Sequence, residues 1–432
     1  MGFSNLIFLL FLAFAIFLFS KNIKKLIRNI RLGRDINRSD NKSERLSIMT
    51  RVALGQSKIM AKPVAGFLHV IVYLGFIIIN IEVIEIIIDG LFGTHRILSF
   101  LGSFYNFLIG SFEILAMSVL FACIVFLIRR NIIRIPRFFN PEITKWPKTD
   151  ANLILIIEIL LMSAFLLMNA ADSALQNKEV SHYIKAGAFP VSSFLVNIFN
   201  NYSVNFLIFI ERSTWWFHII GILAFLNYLP YSKHLHIILA FPNVFFSNLN
   251  PKGQFSNMES VTNEVKLMFD PNAVPPTNLN PGKFGAKDVS DLSWKNLMDA
   301  YSCTECGRCT SECPANITGK LLSPRKIMMD TRDRLEEVGK NIDKNGLDFD
   351  DGKSLFSYIS QEEILACTSC NACVQACPVN IDPLSIIMEL RRYKIMEESS
   401  APSEWNNVFS NIENNGAPWQ FSPSDRLNWR DE

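Results

Sequence analysis

Eight of the nine cysteines lie in two short runs that have the same spacing. In each run three cysteines follow at intervals of three positions, and a fourth comes four positions later, directly before a proline. This spacing is a ligand pattern of 4Fe-4S clusters bound through thiolates. The runs are Cys303, Cys306, Cys309 and Cys313, and then Cys367, Cys370, Cys373 and Cys377.

In proteins with two clusters of this kind, the fourth cysteine of each run binds the other cluster. We therefore predict crossed ligand sets. Because every iron ligand would then be a cysteine, the sites are expected to carry electrons and not to bind substrate. Cysteine zinc sites are the alternative, but they usually have two separated C-x2-C pairs. The predicted sets are Cys303, Cys306, Cys309 and Cys377 for cluster 1, and Cys367, Cys370, Cys373 and Cys313 for cluster 2.

Three histidines lie in or at the end of apolar segments. His69 is early in the second segment, and His218 and His236 are 18 positions apart in the fifth. Neutral imidazole is an axial ligand of haem iron, and histidines on facing helices can hold a haem b between them. Histidines that only hydrogen bond between helices are the alternative. His234 is a weaker rival to His236, and His95 and His182 are expected to be solvated or interfacial.

Carboxylates also occur within the apolar segments, where charge is costly unless it is paired or hydrated. Glu82, Glu85 and Glu113 fall toward one end of their segments, and Glu158 lies in another. We expect Arg212 to form an ion pair with one of the first three. The alternative is a path for the protons that a quinone headgroup gains or loses when it exchanges two electrons.

The elements that position these residues are mostly apolar. The 432 residues are 49% hydrophobic with a mean hydropathy of +0.21, which excludes a soluble single-domain enzyme. A bilayer needs about 20 apolar helical residues for each crossing. A net charge of +2 gives no sign of nucleic-acid binding, and no glycine loop for NAD or flavin is found. We predict five spans, near residues 3–20, 63–88, 103–128, 151–171 and 205–240.

The loops between these spans predict an orientation. The segment 21–62 carries twelve Lys and Arg residues and the segment 129–148 carries six, whereas 89–102 has one and 172–204 has two. Positively charged loops stay in the cytoplasm. We therefore predict a multi-pass protein of the cytoplasmic (inner) membrane with its N-terminus outside and the cysteine runs in the reducing cytoplasm.

After the last span the composition becomes polar. The predicted domains are a transmembrane domain over 1–245, a linker over 246–285, a two-cluster domain over 286–398 and a tail over 399–432. Helical periodicity makes the two-cluster domain mainly α-helical. The tail is expected to be loosely ordered, and its tryptophans Trp405, Trp419 and Trp429 are candidates for docking a partner.

Three resemblances sharpen this picture. The 53 residues between the cysteine runs resemble the α-helical ferredoxin domains of succinate dehydrogenase and heterodisulfide reductase. The segment 212–241 resembles the last span of the nitrate reductase gamma subunit family, in which two histidines on the last helix pair with two on the second helix to hold two haems b. Only His69 is present on the second span here, so the resemblance implies one haem, held by His69 with His236 or, alternatively, with His218.

The whole arrangement, with the stretches 55–69 and 415–429, resembles the membrane iron–sulfur subunits found beside electron-transfer flavoproteins and in heterodisulfide reductase-like complexes. The expected fold is all-α: a five-helix transmembrane haem-b bundle followed by an α-helical ferredoxin domain with two 4Fe-4S clusters. The expected function is electron transfer between the membrane quinone and a soluble flavoprotein, through a separate iron–sulfur subunit of the cysteine-rich CCG type. Alternatives are an electron-input subunit of a disulfide or sulfur-compound reductase, and a non-redox anchor or cluster-based sensor.

Overall fold

The computed structural model describes residues 2–270, 272, 274 and 283–431, and the regular elements in this part of the chain are helices. It contains no strand, only one isolated bridge between Arg34 and Ser293. The all-α prediction is confirmed. The α-helices in chain order are α1 (Phe3–Ile30), α2 (Lys42–Met49), α3 (Pro63–Phe92), α4 (Ser103–Asn131), α5 (Trp146–Asn177), α6 (Ser193–Phe199), α7 (Val204–Tyr228), α8 (His236–Phe245), α9 (Glu259–Phe269), α10 (Trp294–Ser302), α11 (Arg308–Ser311), α12 (Pro314–Ile317), α13 (Pro324–Asn345), α14 (Gln361–Leu365), α15 (Ala372–Ala376), α16 (Pro383–Arg392), α17 (Ser403–Asn415) and α18 (Asn428–Asp431).

Five of these helices, α1, α3, α4, α5 and α7, are long and apolar enough to cross a membrane. They pack as a closed bundle in which α1 contacts α3 and α7, α3 contacts α4, α4 contacts α5, and α5 contacts α7. Many of their large apolar side chains point outward and are exposed. Apolar surface of this extent is typical of helices that face lipid.

Proline and glycine mark the ends of several membrane helices. Pro63 is the first residue of α3, a position where its missing N–H is not needed. The same helix ends at Gly93, whose φ of 74° is left-handed and suits a residue without a Cβ. The fifth span was predicted to reach residue 240, and this is wrong. The helix ends at Tyr228 because Pro230 cannot donate to the helical ladder, and His236 begins the separate helix α8.

The first helix is longer than predicted and leaves the bundle. It continues ten residues past position 20, and this extension packs on α10 and α13 of the cysteine-bearing domain. There the amide of Asn29 donates to the hydroxyl of Tyr301 at 3.0 Å, and Lys25 forms an ion pair with Asp343 at 2.6 Å. The membrane bundle and the cysteine-bearing domain are therefore joined by one continuous helix.

The predicted border at residue 245 does not separate two bodies. Helix α8, assigned to the membrane domain, packs against α10 of the cysteine-bearing domain. Its Val244 shares one hydrophobic core with Leu26 of α1, Leu297 of α10 and Ile327 of α13. Such packing fixes the two parts relative to each other, because a shared apolar core resists sliding.

The predicted linker and tail also contain helices. Helix α9 lies inside the predicted linker 246–285, part of which lies outside the described residues. The tail was expected to be loosely ordered, but it contains α17 and α18. Trp419 and Trp429 are exposed, and Trp405 is partly buried.

Candidate functional site

The eight clustered cysteines line two separate small cavities. Three cysteines of one run and the last cysteine of the other line each cavity, which is the arrangement expected for crossed ligands. The first cavity is lined by Cys303, Cys306, Cys309 and Cys377, and the second by Cys313, Cys367, Cys370 and Cys373.

Both runs wrap their cavity with the same backbone. Glu305 and Gly307 in the first run have φ values of 56° and 73°, and Ser369 and Asn371, at the matching positions of the second, have 57° and 60°. A left-handed residue at alternate positions turns the chain sharply, so that successive side chains face one centre. The backbone N–H of Ser369, one of these left-handed residues, donates to the sulfur of Cys367 at 3.4 Å.

The chemistry of these thiols suits an iron–sulfur cluster. Burial raises the pKa of the Cys303 and Cys377 thiols to about 12, so each needs a nearby positive charge to become a thiolate. The irons of a cluster supply that charge.

The first cavity lies against the membrane bundle. Glu305, between two of its cysteines, is 3% exposed and forms an ion pair with Lys233, which follows α7. Arg332 holds the other oxygen of Glu305 at 2.7 Å. Although burial opposes it, Lys233 and Arg332 lower the pKa of Glu305. The ammonium of Lys58, just before α3, donates to the carbonyl oxygen of Cys377 at 3.2 Å.

A second link joins this cavity to the start of α3. The guanidinium of Arg308 donates to the carbonyl oxygens of Lys58 and Ile59 at 2.9 Å and 3.1 Å. Gly66, in the first turn of α3, allows that loop to lie close, because a Cβ there would be 2.8 Å from the Ile59 oxygen. In the second cavity, Cys370 is exposed.

His69 and His236 meet next to these links. Their ring centres are 6.4 Å apart, and two imidazoles that share a metal through bonds of about 2 Å have ring centres roughly 6 Å apart. Nδ1 of His236 donates to the Lys233 carbonyl at 3.0 Å, which leaves its Nε2 free for a metal. Nδ1 of His69 is buried and has no partner among the described residues. The donor set therefore fits one bis-histidine haem b.

The other two histidine candidates differ in their surroundings. His234 remains a rival, since its ring centre is 5.7 Å from that of His236 and its buried Nε2 has no partner in the described part of the chain. His218 is turned toward α5, where its Nδ1 donates to the Leu161 carbonyl at 3.0 Å and its ring lies 5.8 Å from that of Phe165. This bond also leaves Nε2 of His218 free, so the alternative pair of His69 with His218 stays a prediction.

A further cavity lies at the opposite end of the bundle, and we call it the distal cavity. Its volume is about 300 Å³, and it lies among the ends of α1, α3, α5 and α7 that are remote from the cysteines. Glu82, Glu85 and Arg212, the predicted proton and quinone residues, all line it. Other polar residues that line the cavity were not assigned to a site from the sequence, among them His95, Arg96, Asp172, His182 and Glu211.

The expected pairing of Arg212 is wrong. Its guanidinium forms an ion pair with the neighbouring Glu211 on the same helix. Glu113, one of the expected partners, instead accepts from Asn169 at 3.2 Å and from the backbone N–H of Val191 at 2.9 Å. Ion pairs on a helix are recognised from residues three or four positions apart, so the sequence did not predict a pair between two adjacent residues.

His95, which was expected to be solvated or interfacial, has a largely buried side chain. Its side chain is 8% exposed, and its Nε2 lies 3.1 Å from Asp172. Arg96 binds the same carboxylate at 2.6 Å. The loop after α3 is short, so its charged side chains fold back over the bundle. Asp172 lies one residue beyond the predicted span, so it was counted as part of a loop.

Comparisons with known proteins agree with the cysteine chemistry. Residues 302–381 match a family described as "4Fe-4S dicluster domain". The chain is 30% identical to "Probable iron-sulfur-binding oxidoreductase FadF" of Bacillus subtilis, over 99% of this chain and 61% of the relative. It is 26% identical to "EtfAB:quinone oxidoreductase" of Syntrophomonas wolfei, over 92% of this chain and 55% of the relative.

A shorter match is a subunit of the "Ferredoxin/F(420)H(2)-dependent CoB-CoM heterodisulfide reductase" of Methanosarcina acetivorans, which is 30% identical over 24% of this chain and 52% of the relative. No solved structure matches the chain significantly. The chain spans about three-fifths of the length of the first relatives. These findings support a membrane-associated iron–sulfur protein of the oxidoreductase group with 4Fe-4S clusters.

Proposed function

We propose that this chain passes electrons between a soluble redox partner and the membrane quinone pool, through two 4Fe-4S clusters and haem b. The supporting observation is the link between the first cysteine cavity and the histidine pair. Lys233 binds Glu305 of the cysteine loop, and its carbonyl orients His236. One residue thus positions both ends of the gap that an electron must cross.

The residues around the two cysteine cavities differ, and the difference favours one order of electron transfer through the two clusters. Cys370 is exposed, which suits electron exchange between the second cavity and a soluble partner. The first cavity is held against the bundle by Glu305 and Arg308. When bound, clusters and haem b each carry one electron at a time. The protein's part is to supply thiolates and imidazoles at fixed positions and to exclude water from them.

The orientation and the partner are also part of this proposal. The positive loops put the cysteine domain in the cytoplasm, with the N-terminus outside. The relative named "EtfAB:quinone oxidoreductase" favours an electron-transfer flavoprotein as the soluble partner. We propose that it acts through a separate CCG-type iron–sulfur subunit.

The second candidate function is an electron-input subunit of a heterodisulfide or sulfur-compound reductase-like complex. It is favoured by the match to a subunit of a heterodisulfide reductase, which extends over about a quarter of this chain. In that case quinol would donate electrons that leave through the cysteine domain. Identifying the protein that copurifies with the full chain would distinguish the two candidates.

Cofactor content tests the relay. Purification of the whole chain in detergent without oxygen should give about eight cluster irons and one haem b per chain. His69→Ala should lose the haem and keep the cluster iron. His218→Ala, a matched change at another buried histidine, should keep both. A wild-type protein with full cluster iron and no haem would refute the haem relay.

A further inference from the structure

Glu82 is unusual among the carboxylates of the distal cavity. It is 3% exposed, it lines the cavity, and its Oε2 has no hydrogen-bond partner in the described residues. A carboxylate in the membrane without a partner is unfavourable. The favourable states are a protonated carboxyl, which can donate a hydrogen bond, and a carboxylate that accepts one from a bound molecule.

The other carboxylates of the cavity are all engaged. Glu85 accepts from the hydroxyl of Tyr105 and from the N–H of Leu98, both at 2.9 Å. Asp172 holds Arg96. Asp89 accepts from the N–H of Arg96 at 2.7 Å, and Glu211 accepts from Tyr183 at 3.0 Å. The protein's own polar groups therefore pair with these four carboxylates, and Glu82 remains available to bind a ligand.

Aromatic rings form the apolar side of the same cavity. Phe8, Trp215 and Trp216 all line it. The ring of Phe8 is 5.6 Å from that of Trp215, and the two tryptophan rings are 5.2 Å apart. Aromatic walls bind flat conjugated rings well.

A flat ring fits against the aromatic side of the cavity, and oxygens on that ring that accept or donate a hydrogen bond can pair with Glu82. We propose that the distal cavity binds the headgroup of a membrane quinone and that Glu82 exchanges a proton with it. This inference rests on the proposed function, because the relay must supply the electrons.

The reaction balances with the relay as the electron source or sink. Reduction of a quinone takes two electrons from the relay and two protons. One proton leaves the carboxyl of Glu82 for a quinone oxygen and is replaced from water at the cavity mouth, and the second comes from that water. Oxidation of the quinol is the reverse.

The position of Glu82 has a further consequence. It is thirteen residues after His69 on α3, which is about 20 Å along a helix. Protons therefore exchange at the membrane face opposite to the cysteine domain, while electrons arrive from the cysteine side. Charge crosses the membrane during turnover, so the reaction rate should depend on the membrane potential.

Binding of 2-heptyl-4-hydroxyquinoline N-oxide, a fluorescent quinol analogue, to the whole protein in lipid nanodiscs tests the site. Wild type should quench the probe at a stoichiometry of one, and Glu82→Leu should bind at least about tenfold more weakly, because the ligand loses its hydrogen-bond partner. Glu158→Leu, the same change at a span residue outside the cavity, should bind as wild type does. Ser4→Trp, which adds a ring at the exposed rim, should also weaken binding.

Glu82→Gln separates binding from proton exchange. The amide can still donate a hydrogen bond, so probe affinity should be kept, while kcat for quinol oxidation should fall at least about tenfold with little change in KM. Wild-type affinity in both Glu82→Leu and Ser4→Trp would overturn the inference, as would no probe binding by wild type.

Cluster iron and quinol-driven cluster reduction, measured on the same samples, separate the two proposals. Full iron with quinol-reducible clusters and no probe binding would reject the cavity and keep the relay. Probe binding that depends on Glu82, with clusters that never exchange electrons with quinol, would reject the relay and keep the cavity.

Discussion

The contact between Lys233 and Glu305 offers the sharpest structural prediction. Lys233→Met keeps an apolar stem of similar length and removes the ammonium. That ammonium pairs with Glu305 and donates to the carbonyl of Pro147 at 2.7 Å. The side chains of Lys233 and Glu305 are only 11% and 3% exposed, so the remaining carboxylate cannot simply turn to water.

The free energy that Lys233→Met should cost depends on the contacts that Glu305 keeps. Breaking a buried ion pair by removing one partner costs about 3–5 kcal/mol. Arg332 still holds Glu305 at 2.7 Å, so we expect roughly half of that loss, about 2 kcal/mol. This corresponds to about a 30-fold larger population in which the cysteine loop and the segment 232–236 are apart.

Hydrogen exchange measured by mass spectrometry reads this local opening. In Lys233→Met the amides of 232–236 and 304–308 should exchange about 30-fold faster, with other segments unchanged. Lys326→Met is the matched control, because Lys326 pairs with Asp330 and Glu363 inside the cysteine domain alone. Equal exchange of 232–236 in wild type and Lys233→Met would refute the view that this pair joins the two parts.

Two further predictions concern the cluster ligands and the loop that precedes α3. Cys377→Ser should alter the same electron paramagnetic resonance signal as Cys303→Ser, whereas Cys373→Ser should alter the other signal; matching spectra for Cys377→Ser and Cys373→Ser would disprove crossed ligation. Gly66→Val should lower haem b per chain while cluster iron stays constant, because overpacking against the Ile59 backbone costs about 1–3 kcal/mol. Gly110→Ala, whose added Cβ would meet only ordinary contacts at 3.7 Å, should keep its haem, and full haem in Gly66→Val would contradict the close approach.

The local features of the fold were largely predictable. The length of the apolar segments predicts five long helices, because the thickness of a bilayer sets the length of helix that is needed to cross it. The cysteine sets inferred from spacing are the sets that line the two cavities. The end of the fifth span was placed wrongly because apolar residues continue after Pro230, and hydropathy was followed where the proline should have marked a boundary.

The distal cavity shows what a single sequence conceals. Glu82 and Glu85 were recognisable as costly groups in an apolar segment. Their neighbours His95 and Asp172 come from other parts of the chain, and only tertiary packing brings them together. His182 lay in a loop that gave no pattern at all. The docking of α8 and of the α1 extension on the cysteine domain is equally long-range, so periodicity within each segment could not reveal it.

Reoxidation of the reduced clusters by quinone tests the central claim most directly. The whole chain in nanodiscs is reduced with dithionite, excess reductant is removed, and the cluster signals are followed after a menaquinone analogue is added. The relay predicts that both clusters are reoxidised by the quinone and that His69→Ala slows this at least about tenfold, because the membrane step is lost. Reoxidation at the same rate in wild type and His69→Ala, or none in wild type, would contradict electron transfer from the cysteine domain through the membrane histidines to quinone.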